Sequence, residues 1–197
     1  MNDTFTRNNP GLTHAGCFVI CLLLGFGAWH VSAVEYGASG WADSVGYIMA
    51  GKHIILEGRF PASPASYEAF MASGAAVFNS QALYPMPNIA FVASIGLLGL
   101  IMGEFTLICG VLVNLGLSLL FVACAYWAGV SLFRDRATAL VFTVTLLIHQ
   151  HIFVLLGQPL TDPSLLFFSL ASAWAMLKDG IVAAGILLGA GFLFREQ

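Results

Sequence analysis

Charge is what this sequence has least of. Only 9% of its 197 residues are Asp, Glu, Lys or Arg, against roughly a quarter in soluble domains, while 59% are hydrophobic. That balance excludes a water-soluble domain and leaves an integral membrane protein. The seven basic and ten acidic residues are scattered and sum to a net charge of -3. No basic patch exists to grip a phosphate backbone, so nucleic acid is excluded as a partner.

Cysteine is scarce as well. Cys17, Cys21, Cys109 and Cys124 all lie inside apolar runs, without the spacing of a zinc site. Cys17 and Cys21, one helical turn apart, read as small packing residues. Also missing are a nucleophile elbow, a phosphate loop, a zinc signature, an internal repeat and a linker. One membrane domain over residues 1–197 is the simplest parse. The last stretch, GAGFLFREQ, follows directly on an apolar run and reads as the N-terminal part of something longer.

What the chain has instead is long apolar runs. A helix needs about 20 such residues to cross the hydrocarbon layer, because each backbone amide must be satisfied within the segment. The runs predict an all-α, polytopic helical bundle of about five transmembrane helices: residues 15–34, 106–133, 137–156, a shorter 165–177, and 181–194. A cleavable signal peptide ending near VSA at 31–33 is the competing reading of the N-terminus.

Residues 85–102 decide the topology. If they cross, only Arg7 and Arg195 lie inside; if they stay at the surface, Arg7, Arg134, Arg136 and Lys178 lie inside, against Lys52, Arg59 and Arg195 outside. The second arrangement fits the positive-inside bias better. It puts the long loop 35–105 and the short loop 157–164 on one outer face, so that Asp43 and Asp162 share a compartment.

The outer loop opens with GWADSVGYIMAGKHIILEGRFP, residues 40–61. At about 100° per residue, Asp43, Tyr47, Ala50 and Ile54 share one helical face, while Val45, Ile48, Met49 and Leu56 share the other. This predicts an interfacial amphipathic helix, apolar side down, with Asp43 and Tyr47 turned to water or a cavity. Lys52 falls opposite Asp43 and snorkels toward lipid phosphates. After Gly58, Pro61 and Pro64, a second interfacial helix is expected from about Pro87 to Met102. Asp162, held out of the helical conformation by Pro163, is expected to cap the next helix. As plain caps, Asp43 and Asp162 have a purely structural explanation.

The order Asp43-Ser44-x-x-Tyr47, then Tyr84-Pro85, then LFRDRATAL, then LTDP resembles the N-terminal module of type C glycosyltransferases. These enzymes use polyprenyl-phosphate sugars and include aminoarabinose lipid A transferases and protein O-mannosyltransferases. The resemblance spans nearly the whole chain and rests on order and spacing. It implies transfer of a sugar from a lipid-linked donor to a lipid, glycan or protein acceptor, at the outward face of a bacterial inner (plasma) membrane. It makes Asp43 the general base and Asp162 the supporting acid, which in some members helps hold a divalent metal, Mg or Mn. Arg59 and Arg195, then Lys52, would hold the donor phosphate; Tyr47 and Tyr84 would stack on the sugar or lie along the lipid. The chain departs from the pattern at Ser44, where many members have a second acid, and at Tyr84, where some have lysine.

The chemistry suits those residue types independently. A sugar phosphate carries its own stable leaving group, so the reaction needs a base for the incoming hydroxyl and cations for the departing phosphate. The rival class is a transport or channel subunit lined by Asp162, Asn114, His149 and His151, or a non-catalytic scaffold. His149 and His151, two apart in the third span, point about 200° from each other in a helix and read as polar packing. Asn114 is expected to hydrogen-bond a neighbouring helix.

Overall fold

Uninterrupted apolar sequence without proline satisfies its own backbone only as helix, and helix is what the chain forms. The structure is a computed structural model, and it describes residues 13–36, 42–57, 89–157 and 162–194. Those residues make eight helices and no strand: α1 (His14–Tyr36), α2 (Ala42–Glu57), α3 (Ile89–Met102), α4 (Leu107–Phe133), α5 (Arg136–Ile148), α6 (Gln150–Gly157), α7 (Asp162–Leu177) and α8 (Ile181–Phe194). The predicted all-α class is correct.

α4 is the axis. Its 27 residues extend about 40 Å, and it packs against every other described helix except α8. It ends where Arg134 turns left-handed (φ 55) and donates its amide to the Val130 carbonyl. Asp135 then caps α5, accepting hydrogen bonds at 2.7 Å from both the amide and the hydroxyl of Thr138.

One end of the bundle gathers the polar turns. Tyr126 donates its hydroxyl to the His14 carbonyl at 3.3 Å, and His14 stacks on Trp127. Gly129 faces Ala139 near the start of α5. Trp174, near the end of α7, donates to Ser131 Oγ at 3.0 Å. The start of α1 therefore meets the end of α4, and farther along Gly25 meets Val122, so α1 and α4 are antiparallel. Arg134, Arg136 and Lys178 lie at that shared end.

α1 and α4 are each long and apolar enough to cross a membrane, and α5 with α6 makes a third such unit if the bent pair is counted as one. α3, α7 and α8 are apolar but shorter. The expected straight helix over 137–156 is corrected: it breaks at His149 and bends by 73°. The contacts at the far end of α6 give the reason. Ser32 Oγ donates to the Val154 carbonyl at 3.1 Å, Ser118 Oγ donates to the Leu156 carbonyl at 3.2 Å, and the Gly157 amide donates to Ser32 Oγ at 3.0 Å. These bonds supply partners for carbonyls that a helix end leaves unpaired, and reaching them requires α6 to swing inward.

The packing of α2 differs from expectation in part. The sequence predicts Ala50 and Ile54 on the same face as Asp43 and Tyr47, opposite the apolar side at Ile48 and Leu56. Ile48 is buried, but so are Ala50 and Gly51, Leu56 is exposed, and α2 packs on α3. The reason is Gly51 opposite Gly96. A β-carbon on Gly51 would lie 2.7 Å from the Val92 carbonyl oxygen and 2.8 Å from the Gly96 nitrogen, and one on Gly96 would strike the Gly51 carbonyl. Lipid tails are as apolar as side chains, so close backbone approach at small residues is what holds such helices together.

Two apolar clusters surround α4. Cys17, Cys21, Phe121, Tyr126, Leu147 and Leu156 form one; Ile48, Phe91, Ile95, Cys109 and Leu117 form the other. Cys17 and Cys21 are buried packing residues, as expected.

Candidate functional site

α7 opens on Asp162-Pro163-Ser164. Proline suits a first helical turn because it has no amide hydrogen to leave unpaired, and a carboxylate there faces the positive end of the helix dipole. Asp162 is half-buried, whereas Pro163 and Ser164 are fully buried. Five residues on, Phe167 packs against both apolar clusters, the second among them.

That same cluster contains Ile48 of α2, five residues after Asp43. The cluster lies on the N-terminal half of α4, at Cys109 and Leu117, away from the Arg134 turn. The backbone segments bearing Asp43 and Asp162 are thus anchored on one cluster, toward one end of α4. Among the described residues the backbones of α2 and α7 do not approach each other closely; α4 and the cluster connect them. Asp43 belongs to α2, but its side chain lies outside the described residues, as do Arg59, Tyr84 and Arg195 entirely.

Tyr47, expected to face water or a cavity, is half-buried, and its ring meets Phe91 edge-on at 5.4 Å. Lys52 is exposed on α2, as expected for a side chain reaching toward lipid phosphates.

The described residues do not fit the divalent ion that some members of the resembled family hold. A hard cation such as Mg or Mn needs several oxygen ligands, and no cluster of three His, Cys, Asp or Glu side chains occurs among the described residues. No step is assigned to such an ion.

Asn114 is a second correction. It was expected to bond across to a neighbouring helix, yet it is 0% exposed and neither its Nδ2 nor its Oδ1 has a partner among the described residues. An unpaired buried amide costs about 1–3 kcal/mol. One turn along α4, Ser118 is satisfied by the Leu156 carbonyl. Sequence reasoning passed over Ser32 and Ser118, although small polar residues on a face shared with Cys21 and Gly25, or with Asn114, mark helix contacts in membranes.

Outside the membrane-spanning helices, Asp135 has a lowered pKa, caused first by the hydrogen bond from the Thr138 side chain and then by that from the Thr138 amide. His149 and His151, expected to point apart, are both exposed with ring centroids 5.7 Å apart. Asn114 is buried, whereas the two imidazoles are exposed. Compared with protein-family models, curated proteins and solved structures, the chain matches none.

Proposed function

We propose that the chain is a membrane glycosyltransferase module that moves a sugar from a polyprenyl-phosphate donor to an acceptor at the outer membrane face. The observation that carries this reading is the common anchoring of the Asp43 and Asp162 segments on the Ile48–Phe91–Leu117 cluster. In the proposed reaction Asp43 takes the proton from the acceptor hydroxyl. The acceptor oxygen bonds to the anomeric carbon as the bond from that carbon to the phosphate oxygen breaks. Arg59 and Arg195, with Lys52 at the rim, stabilise the departing lipid phosphate. Asp162 orients the acceptor.

Five crossings suit this reading, with α5 and α6 together as the third and residues 35–105 on the outer side. Support comes from the antiparallel α1 and α4 and from the basic turns gathered at the opposite end, the placement a positive-inside bias prefers. The membrane is read as a bacterial inner membrane with the active face outward.

The test is sugar transfer by full-length protein in lipid, comparing the wild type with Asp43→Asn. Loss of a general base lowers the rate roughly a hundredfold or more. Equal transfer by the two proteins removes Asp43 from the role.

A further inference from the structure

We propose that Asn114 is a substrate-binding residue whose carboxamide pairs with a sugar hydroxyl beside the first turn of α7, an inference that rests on the glycosyltransferase reading and gives the sugar a contact. Asn114 is 0% exposed, and neither Nδ2 nor Oδ1 has a partner among the described residues. The register of α4 shows where the amide points. At about 100° per residue, Ser118 lies about 40° to one side of Asn114 and Leu117 about 60° to the other. Ser118 donates to the Leu156 carbonyl at the end of α6, and Leu117 belongs to the cluster on which Phe167 of α7 packs. Asn114 therefore faces between the end of α6 and the start of α7.

Its depth agrees. Trp174, near the end of α7, donates to Ser131 near the end of α4, and Phe167, earlier in α7, packs at the earlier part of α4, so the two helices run parallel. At about 1.5 Å per residue, α7 begins about 18 Å before Trp174, whereas Asn114 lies about 25 Å before Ser131. The amide thus stands roughly 7 Å beyond the first residue of α7, off the positive end of the helix dipole. That first turn carries the Asp162 carboxylate and the buried Ser164.

These groups select their ligand. The carboxamide offers both donors and an acceptor, while an ionised carboxylate only accepts. A sugar hydroxyl donates and accepts, so it satisfies the mixed set. A phosphate is repelled by Asp162, and a lipid tail pairs with nothing. Leaving the buried amide unpaired is unfavourable; a hydroxyl that reaches it removes that penalty on binding, and a ligand without one leaves it in place. The amide is enclosed by protein and not exposed to lipid, so the ligand's approach must part the groups that cover it.

The experiment is equilibrium binding to the full chain in lipid nanodiscs, followed by tryptophan fluorescence. The probes are undecaprenyl-phosphate glucose and undecaprenyl-phosphate mannose as donor sugars, and the methyl glycosides of the same sugars as acceptor mimics. Undecaprenyl phosphate without a sugar is the reference. The wild type should bind a sugar-bearing probe, and Asn114→Leu should weaken that binding about tenfold or more while leaving the reference unchanged. The probe that loses affinity tells whether the hydroxyl belongs to donor or acceptor. Asn114→Ala, smaller and equally apolar, should lose the same preference, and the melting temperatures of both variants serve as the folding control. Ser131→Ala, at the far end of the same helix, should bind as the wild type does. Sugar binding unchanged in both Asn114 variants, or an equal loss for undecaprenyl phosphate, overturns this assignment alone. Failure of the wild type to bind any sugar-bearing probe overturns it together with the glycosyltransferase reading.

Discussion

Ile48 of α2 and Phe167 of α7 share one apolar cluster on α4, each five residues after an aspartate on its own helix. The relationship places the α2 and α7 backbones that carry Asp43 and Asp162 against the same part of α4. It also makes the cluster sensitive to anything that moves α2 away from α3.

Gly51→Ala and Gly96→Ala are the direct way to move it. A methyl group at either position meets backbone atoms, which cannot rotate aside. Each substitution should destabilise the α2–α3 contact by about 1–3 kcal/mol and lower the melting temperature in detergent. Gly185→Ala serves as the control, because a β-carbon there meets nothing within 4 Å. Equal effects from all three would remove the glycine contact from the account.

Asn114→Leu swaps an unpaired amide for an apolar group of similar size. Since Nδ2 and Oδ1 have no partners among the described residues, removing them should stabilise the bundle by about 1 kcal/mol or more. The melting temperature in detergent should rise accordingly. A lower melting temperature in Asn114→Leu would mean that the amide has a partner after all.

Asp135 ties the start of α5 to Thr138. Its pKa is depressed in the folded protein, so its carboxylate adds stability fully above the ordinary aspartate range near 4. That contribution disappears as pH falls through the lowered value. Asp135→Ala should cost about 1 kcal/mol at neutral pH, as for other helix caps. The difference between wild type and variant should shrink in unfolding measured as pH is taken below the ordinary aspartate range.

Ser32→Ala and Ser118→Ala test the account of the bend. Each removes a hydroxyl whose partner is a carbonyl at the end of α6. Each should cost about 0.5–1.5 kcal/mol, and the pair together should raise amide exchange across α6 more than across α5. Protection unchanged in α6 would place the cause of the bend elsewhere.

Apolar runs were enough to find α1 and α4 in the sequence, because a run of 20 or more such residues has one structural solution in lipid. The charge count between the Arg134 turn and Arg7 pointed to antiparallel α1 and α4. The bend at His149 was not legible: neither proline nor glycine marks it, and its cause lies in Ser32 and Ser118, far away in sequence. The burial of Ala50 was missed for a similar reason. A helical wheel ranks residues by polarity, but α2 packs by smallness, and the signal was the glycine at 51 opposite the glycine at 96. Asp162 was legible as an acid at the start of α7, but it is the first residue of the helix and not, as expected, a cap held outside it.

The central claim is that the carboxylates at positions 43 and 162 lie on the same side of the membrane. Single cysteines at those two positions, placed in a background without Cys17, Cys21, Cys109 and Cys124, can be treated on sealed cells with a membrane-impermeant thiol reagent. The account predicts that both positions label from outside, while a cysteine at Lys178 labels only after the membrane is opened. Labelling of position 43 and position 162 from opposite sides would contradict it.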